Sequence, residues 1–203
     1  MATSKRINLV REHQSEYAGS QVPRLVPISA ATYLAIEGNQ ARDRSEAVGA
    51  LLAVARKIRK SKRLAGHDFV VAPLEDLLWP GLPPGRAERW TLLLRVPSSV
   101  QARDVVLARR ELGHRREAEH VELRTFPEGT CVQVSMAQDA SDQLVGFASE
   151  AGLLLRGPLH RIFGREVILR CWTSDLAATP VRRRVHRRAR GVPASWRRWA
   201  LEL

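Results

Sequence analysis

Cysteine and long apolar runs are both scarce in this chain of 203 residues. Its two cysteines, Cys131 and Cys171, are too few for a disulfide framework, so we expect free thiols and a reducing, cytoplasmic setting. The longest useful apolar run, residues 48–55, is far shorter than the roughly 20 residues that a membrane helix needs. No apolar stretch follows the basic residues near the N-terminus, so neither a secretory signal nor a membrane partner is expected.

Motifs of familiar enzymes are missing as well. The chain has no glycine-rich phosphate loop and no Gly-x-Ser-x-Gly nucleophile elbow. Its six histidines never occur in pairs at helical spacing, so their spacing gives no support for a metal site. The sequence therefore predicts neither a cofactor nor a metal ion, although catalysis by other side chains stays open.

Positive charge is abundant and unevenly spread. Lys and Arg total 33 against 21 Asp and Glu, a net charge of +12, and residues 181–203 hold eight arginines with one acid. Such a run repels itself, which predicts a solvated, disordered tail over residues 173–203. Translation of an out-of-frame GC-rich stretch is a second interpretation. A third is salt-sensitive contact with a nucleic acid or a lipid surface, helped by Trp196 and Trp199.

Hydrophobic periodicity predicts an arm over residues 1–20 and one α+β domain over residues 21–172. The predicted strands lie within 21–38 and at 69–72, 90–96, 121–125, 130–136, 153–156 and 162–172, and the predicted helices start near Ser45 and cover 100–112 and 141–150. An Ala-Gly pair ends the first and last helices, and Pro-Leu follows each pair. This weak repeat indicates a duplicated β-α-β-β fold, with helices on one face and a central ligand cleft.

Two carboxylates stand in apolar surroundings. Glu75 lies between Leu74 and Trp79, and Glu128 follows Phe-Pro. A lone buried carboxylate costs several kcal/mol, roughly, unless something pairs with it, so an aromatic-lined cleft with such a group suits an organic cation. The alternatives are pairing with a nearby arginine, exposure at a strand end and, for Glu128, an ordinary turn position. Tyr33, Trp79 and Trp90 have two interpretations, as core residues or as cleft residues.

The order of several segments resembles the GyrI-like small-molecule-binding domain family. The segments that carry this resemblance are residues 33–38, 68–79, 89–94, 126–134 and 157–160. The resemblance covers about residues 5–165, and Pro-Leu-Glu and Trp-Thr are its more specific parts. It implies a duplicated fold, a central cleft and bulky, planar or cationic organic ligands. It also places Glu75, Trp79, Trp90 and Glu128 at or near that cleft.

Some stand-alone members of this family are hydrolases that open the cyclopropane of DNA-alkylating natural products, a self-protection activity related to antibiotic resistance. In such an enzyme, Glu75 or Glu128 would orient or deprotonate water, or a buried glutamic acid would donate a proton. We take these two residues as the candidate catalytic pair. The candidate ligand-binding residues are Tyr33, Trp79, Trp90, Arg161 and Phe163.

The chain departs from the family pattern at positions that matter for catalysis. Arg161 stands where the family often has a carboxylate, and two family tyrosines are replaced by Ala140 and Phe163. Because arginine cannot accept a proton near neutral pH, these changes favour a binding protein over a hydrolase. We therefore predict a cytoplasmic protein that sequesters or senses a lipophilic, planar or cationic small molecule. The alternatives are a cyclopropane hydrolase and, more weakly, a polyanion-binding protein that uses tail 181–203.

Overall fold

The computed structural model describes residues 6–39, 43–79, 89–113, 115–136, 139–164 and 166–175. Its strands are β1 (Arg24–Ile28), β2 (Ala31–Gly38), β3 (Leu74–Trp79), β4 (Arg89–Arg95), β5 (Glu122–Phe126), β6 (Gly129–Ser135), β7 (Leu153–Phe163) and β8 (Val167–Asp175). Its α-helices are α1 (Leu9–Glu12), α2 (Gln14–Tyr17), α3 (Arg44–Leu64), α4 (Ala102–Glu111) and α5 (Ala140–Glu150). None of the described helices is long and apolar enough to cross a membrane.

The eight described strands form one curled antiparallel sheet in the order β1-β6-β8-β7-β3-β4-β2-β5. The first half of the chain supplies β1–β4 and the second half β5–β8, so β1 corresponds to β5, β2 to β6, β3 to β7 and β4 to β8. With this correspondence, the strand order reads the same from either end of the sheet. Each half therefore supplies three neighbouring strands, and its first strand is paired with the second strand of the other half. The α+β class and the duplication expected from the sequence are confirmed.

Helix α3 forms because its apolar residues repeat at helical spacing. Leu51, Val54 and Ile58 are fully buried on one side, while Arg56 and Lys60 are exposed on the other. Both repeated Ala-Gly pairs end a helix, and their glycines have a left-handed backbone, with φ of 82° and 67°. The weak sequence repeat therefore marks the same helix ending in each half.

Several predicted strands have other boundaries in the structure; the predicted strand 153–156, for example, is the first part of β7. Residues 69–72 are not a strand: Phe69 forms a single bridge with Ile7, and regular pairing begins only after Pro73, which has no N–H to donate. The predicted strand 162–172 is divided between two strands: residues 162–163 end β7, and residues 167–172 begin β8.

Alternating side chains give the sheet two different faces. We call one the helix face; it carries Leu34, Leu92 and Leu94, which pack with α3, α4 and α5 in the main apolar core. We call the other the polar face; it carries Tyr33 and Arg95 from the same two strands, together with a smaller apolar group. The N-terminal segment that contains α2 lies against the polar face.

Candidate functional site

The centre of the polar face holds an imidazole between two carboxylates. His160 on β7 has Nε2 at 2.8 Å from Oε2 of Glu75 on β3, and its Nδ1 is 3.2 Å from Oε2 of Glu128. Glu128 lies in the turn between β5 and β6, yet only 7% of it is exposed. All three side chains are buried, so the two candidate catalytic residues belong to one site and a histidine joins them.

Two tyrosine hydroxyls occupy the remaining carboxylate oxygens. Tyr17 of α2 donates to Oε1 of Glu75 at 2.8 Å, and Tyr33 of β2 donates to Oε1 of Glu128 at 3.1 Å. Each carboxylate is therefore hydrogen-bonded through both oxygens. Both hydroxyls stay protonated at neutral pH, because burial and the charge of Glu75 raise the pKa of each tyrosine well above its usual value.

Two buried arginines complete the site. Arg170 on β8 donates to Glu128 at 3.2 Å, to the side-chain oxygen of Gln133 at 3.2 Å and to the carbonyl of Glu16 at 2.6 Å. Arg95 on β4 forms an ion pair with the side chain of Glu16. We call Glu16, Glu75, Arg95, Glu128, His160 and Arg170 the buried charge cluster; it has three acidic and three basic members.

The protonation states follow from these contacts. Burial lowers the pKa of His160, but the charge of Glu128 and hydrogen bonds with both carboxylates outweigh burial and raise it to about 9. Burial raises the pKa of Glu128, but His160 and Arg170 outweigh it and hold that pKa well below its ordinary range. At neutral pH, His160 is thus an imidazolium that donates from both ring nitrogens, and Glu128 is a carboxylate.

Aromatic side chains lie beside the cluster on the polar face. The rings of Trp79 and Trp172 meet edge to face with their centroids 6.2 Å apart, and Phe126 packs on Tyr33 at 5.9 Å. Trp79, Trp172 and Phe126 are only partly buried, unlike the charged residues. They offer ring surfaces at the border of the site, next to the apolar group of Leu77 and Leu93.

The structure separates the residues predicted for the site into two groups. Glu75, Glu128 and Tyr33 meet in the cluster, and Trp79 borders it. Trp90, Arg161 and Phe163 belong to the helix face instead, because they stand at the alternate positions of their strands.

These three residues have helix-face partners. Trp90 packs in the main core against Gly38, where an added Cβ would come within 2.1 Å of the indole. It also borders a separate cavity of about 450 Å³ that Glu37 and Glu46 line. Arg161 pairs with Asp76 at 2.6 Å, and its guanidinium lies 5.6 Å from the ring of Phe163.

Sequence reasoning missed four cluster residues: Glu16, Arg95, His160 and Arg170. His160 stands in a segment that carries the family resemblance, which was a usable signal. The others come from segments far apart along the chain, up to 154 residues for the contact between Arg170 and Glu16. Tyr17, also missed, lies in the predicted arm.

The site has no visible provision for a metal or a reactive thiol. No group of three His, Cys, Asp or Glu is arranged to hold a metal ion within the described ranges. Burial raises the pKa of the Cys131 and Cys171 thiols to about 12 each, so both free thiols stay protonated. The chemistry available here is that of carboxylates, an imidazolium and tyrosine hydroxyls.

Comparison with solved structures supports the fold. The chain is similar to a hydrolase encoded by lin2189 from Listeria innocua, at 27% identity over 84% of this chain and 100% of that one, with a TM-score of 0.74. A second structure of a Listeria innocua hydrolase and an uncharacterized conserved protein of the same organism give 27% identity over 83% of this chain and all of theirs, with TM-scores of 0.73 and 0.72.

No family model and no curated protein matches the chain. Membership of the GyrI-like family therefore stays a prediction. What the structure shows is the architecture itself, a duplicated α+β fold built on one curled antiparallel sheet.

Proposed function

We propose that this protein binds a lipophilic, planar or cationic small molecule on the polar face, beside the buried charge cluster. The cluster itself is the observation that carries the proposal. A core built only for stability would place apolar side chains here, because burying six ionisable groups costs more than packing hydrophobic residues of the same volume. Their presence at the centre of one sheet face favours a binding or catalytic role.

The surroundings favour a flat aromatic ligand. Trp79, Trp172 and Phe126 are partly exposed rings that can stack on a planar molecule or face a cation. The cluster balances its own charge while His160 is protonated, so a neutral or singly charged ligand meets no large uncompensated field. Loss of the His160 proton would leave a net negative charge, which strengthens the attraction for cations.

A hydrolase is the second candidate, favoured by the similarity to a protein described as a hydrolase. In this reading, His160 donates a proton to the group that receives electrons as a strained ring opens, and water adds to the ring carbon. Glu75 accepts the proton that water releases. Glu128 is a poor proton acceptor, because its pKa is held low, and it serves to keep His160 charged.

One experiment separates these two functions. Purified protein is mixed with a cyclopropane-bearing DNA alkylator, while tryptophan fluorescence reports binding and mass spectrometry follows the compound. Saturable quenching with the compound unchanged supports a protein that sequesters or senses it. A water-added, ring-opened product that disappears in Glu75→Gln supports the hydrolase. No quenching with this compound or with the planar dye proflavine contradicts both.

Matched tryptophan variants test where the ligand sits. Trp79→Phe removes an indole at the border of the polar face, and Trp90→Phe removes one from the helix face. We expect Trp79→Phe alone to reduce the quenching and to weaken binding several-fold. Equal effects of both variants would contradict a site on the polar face.

The cytoplasmic setting and polyanion contact through residues 181–203 are also proposals. The tail lies outside the described residues. Its removal is expected to abolish retention on a polyanion resin and to leave proflavine binding unchanged. Retention by the shortened chain would contradict a role for the tail.

A further inference from the structure

Tyr17 differs from every other partner of the two central carboxylates. Glu128 is held by Tyr33, His160 and Arg170, and Glu75 is held by His160 as well as by Tyr17. Tyr33, His160 and Arg170 project from strands inside the sheet and are almost completely buried. Within the part of the chain that the structure describes, Tyr17 is the one side-chain partner of these carboxylates that lies outside the sheet.

The hydroxyl and the ring of Tyr17 each contact a charged residue of the cluster. Its hydroxyl donates to Glu75 at 2.8 Å, and its ring lies 5.9 Å from the guanidinium of Arg95. A phenol held in this way uses a ring face towards a cation and a hydrogen-bond donor towards a carboxylate. These are the contacts that an aromatic ligand with a donor group would make.

The segment around Tyr17 is fixed at both ends. Ile7 accepts from Val70 and donates to Asp68, and the carbonyl of Ser20 accepts from the amide of Ser135 at 2.7 Å. The residues on either side of Tyr17 are attached as well: the Glu16 carbonyl accepts from Arg170, and the Ala18 carbonyl accepts from Gln133 and Arg24. Displacement of the phenol from Glu75 therefore means rotation of the Tyr17 side chain about its own bonds, with the backbone in place. Glu75 would then have one free acceptor oxygen facing the vacated space.

We propose that Tyr17 is a built-in ligand: its phenol occupies the place of the natural ligand at Glu75, and that ligand is an aromatic compound with a hydrogen-bond donor that displaces it. This inference rests on the proposed function and narrows its ligand class. Tyr17 sets specificity because a compound without a donor cannot replace the hydrogen bond that is lost at Glu75.

Fluorine NMR tests the displacement directly, because Tyr17 and Tyr33 are the two tyrosines of the sequence. The protein is labelled with 3-fluorotyrosine, and Tyr17→Phe assigns the two resonances. Proflavine, a planar dye with amine donors, is then added to saturation. We expect the Tyr17 resonance to move towards the position of a solvent-exposed tyrosine and the Tyr33 resonance to shift much less.

Affinity gives an independent readout. Tyr17→Phe removes the competing donor, so we expect it to bind proflavine about tenfold more tightly than the wild type. Tyr33→Phe is the matched control, since its hydroxyl holds Glu128 from within the sheet, and it is expected not to tighten binding. Circular dichroism checks that each variant is folded.

The outcomes separate this inference from the proposed function. Saturable binding with an unmoved Tyr17 resonance, or with unchanged or weaker binding in Tyr17→Phe, overturns the built-in ligand and leaves the proposed function intact. Binding by Tyr17→Phe but not by the wild type supports a built-in ligand that proflavine is too weak to displace. Absence of binding by both proteins overturns both proposals.

Discussion

Neighbouring acidic residues have different partners on the two faces of the sheet. Glu75 and Asp76 are consecutive in β3, both are fully buried, and strand alternation sends them to opposite faces. On the polar face, Glu75 contacts a histidine and a tyrosine. On the helix face, Asp76 pairs with Arg44 at the start of α3 and with Arg161 on β7, its register partner across the centre of the sheet.

The difference lies in what each set of partners can do. Both partners of Asp76 are guanidiniums, which keep their charge at any physiological pH, so that ion pair holds α3 and β7 without exchanging protons. The partners of Glu75 include an imidazolium and a hydroxyl, which can donate or lose a proton. Burial alone therefore does not mark a functional carboxylate; the chemistry of its partners does.

The largest expected effect comes from removing the most buried arginine of the polar face. Arg170→Met leaves Glu128 and the Glu16 carbonyl without their arginine, and we expect a loss of roughly 3–5 kcal/mol in the free energy of unfolding. Arg161→Met on the helix face should cost less, because Asp76 keeps Arg44. Urea unfolding measures the free energy of unfolding of both variants. An equal or larger loss in Arg161→Met would contradict this difference between the two faces.

A smaller loss is expected from two adjacent leucines of β4 that differ only in face. Leu92 packs in the main core of the helix face, and Leu93 packs with Tyr33 and Leu77 on the polar face. Leu92→Ala and Leu93→Ala should each cost about 3 kcal/mol, since both side chains are fully buried. Only Leu93→Ala should also alter proflavine affinity, measured by fluorescence titration. An affinity change in Leu92→Ala instead would place the ligand on the helix face and contradict the proposed site.

The smallest expected effect is a pH dependence of the free energy of unfolding that arises from His160 on the polar face. The pKa of His160 is about 9 in the folded protein, above the value near 6.5 expected when unfolded. Its stabilising contribution is therefore complete below about pH 6.5 and declines as the pH rises through 9. Between about pH 6 and pH 8, the free energy of unfolding should fall by about 2 kcal/mol on this account.

His160→Gln is the control for this dependence. The glutamine keeps hydrogen-bonding groups near both carboxylates and has no proton to lose in this range. Urea unfolding at several pH values should give a flatter profile for the variant than for the wild type. The same slope in both proteins would show that the pH dependence arises elsewhere.

Much of the fold could be predicted because it depends on local periodicity. The apolar spacing of α3 and the run of leucines in β4 identify a long amphipathic helix and a buried strand before any tertiary contact is known. The ends of elements depend on tertiary contacts as well. Residues 69–72 have the composition of a strand, but in the described part of the chain Phe69 bridges only to Ile7, from a segment whose sequence gives no sign of pairing.

The arrangement of the site depends on strand register and on contacts between distant residues, which a single sequence does not reveal. Trp79 and Trp90 look alike as strand tryptophans, and a shift of one residue in register would exchange their faces. The contact between Tyr17 and Glu75 joins residues 58 positions apart. The apolar neighbours of Glu75 and Glu128 drew attention to both carboxylates, whereas their shared histidine required the β3–β7 pairing to be known.

The exchanged outer strands have a consequence for how this chain is made. β1 pairs with β6, which emerges from the ribosome about a hundred residues later, and β5 completes the sheet on the far side of β2. Neither half of the chain can pair its own first strand with its own second strand in this sheet; each first strand needs the other half. The outer strand edges of the first half therefore stay unpaired until the second half has been synthesised. We expect the native sheet to form late and comparatively slowly, because it depends on pairing between distant segments.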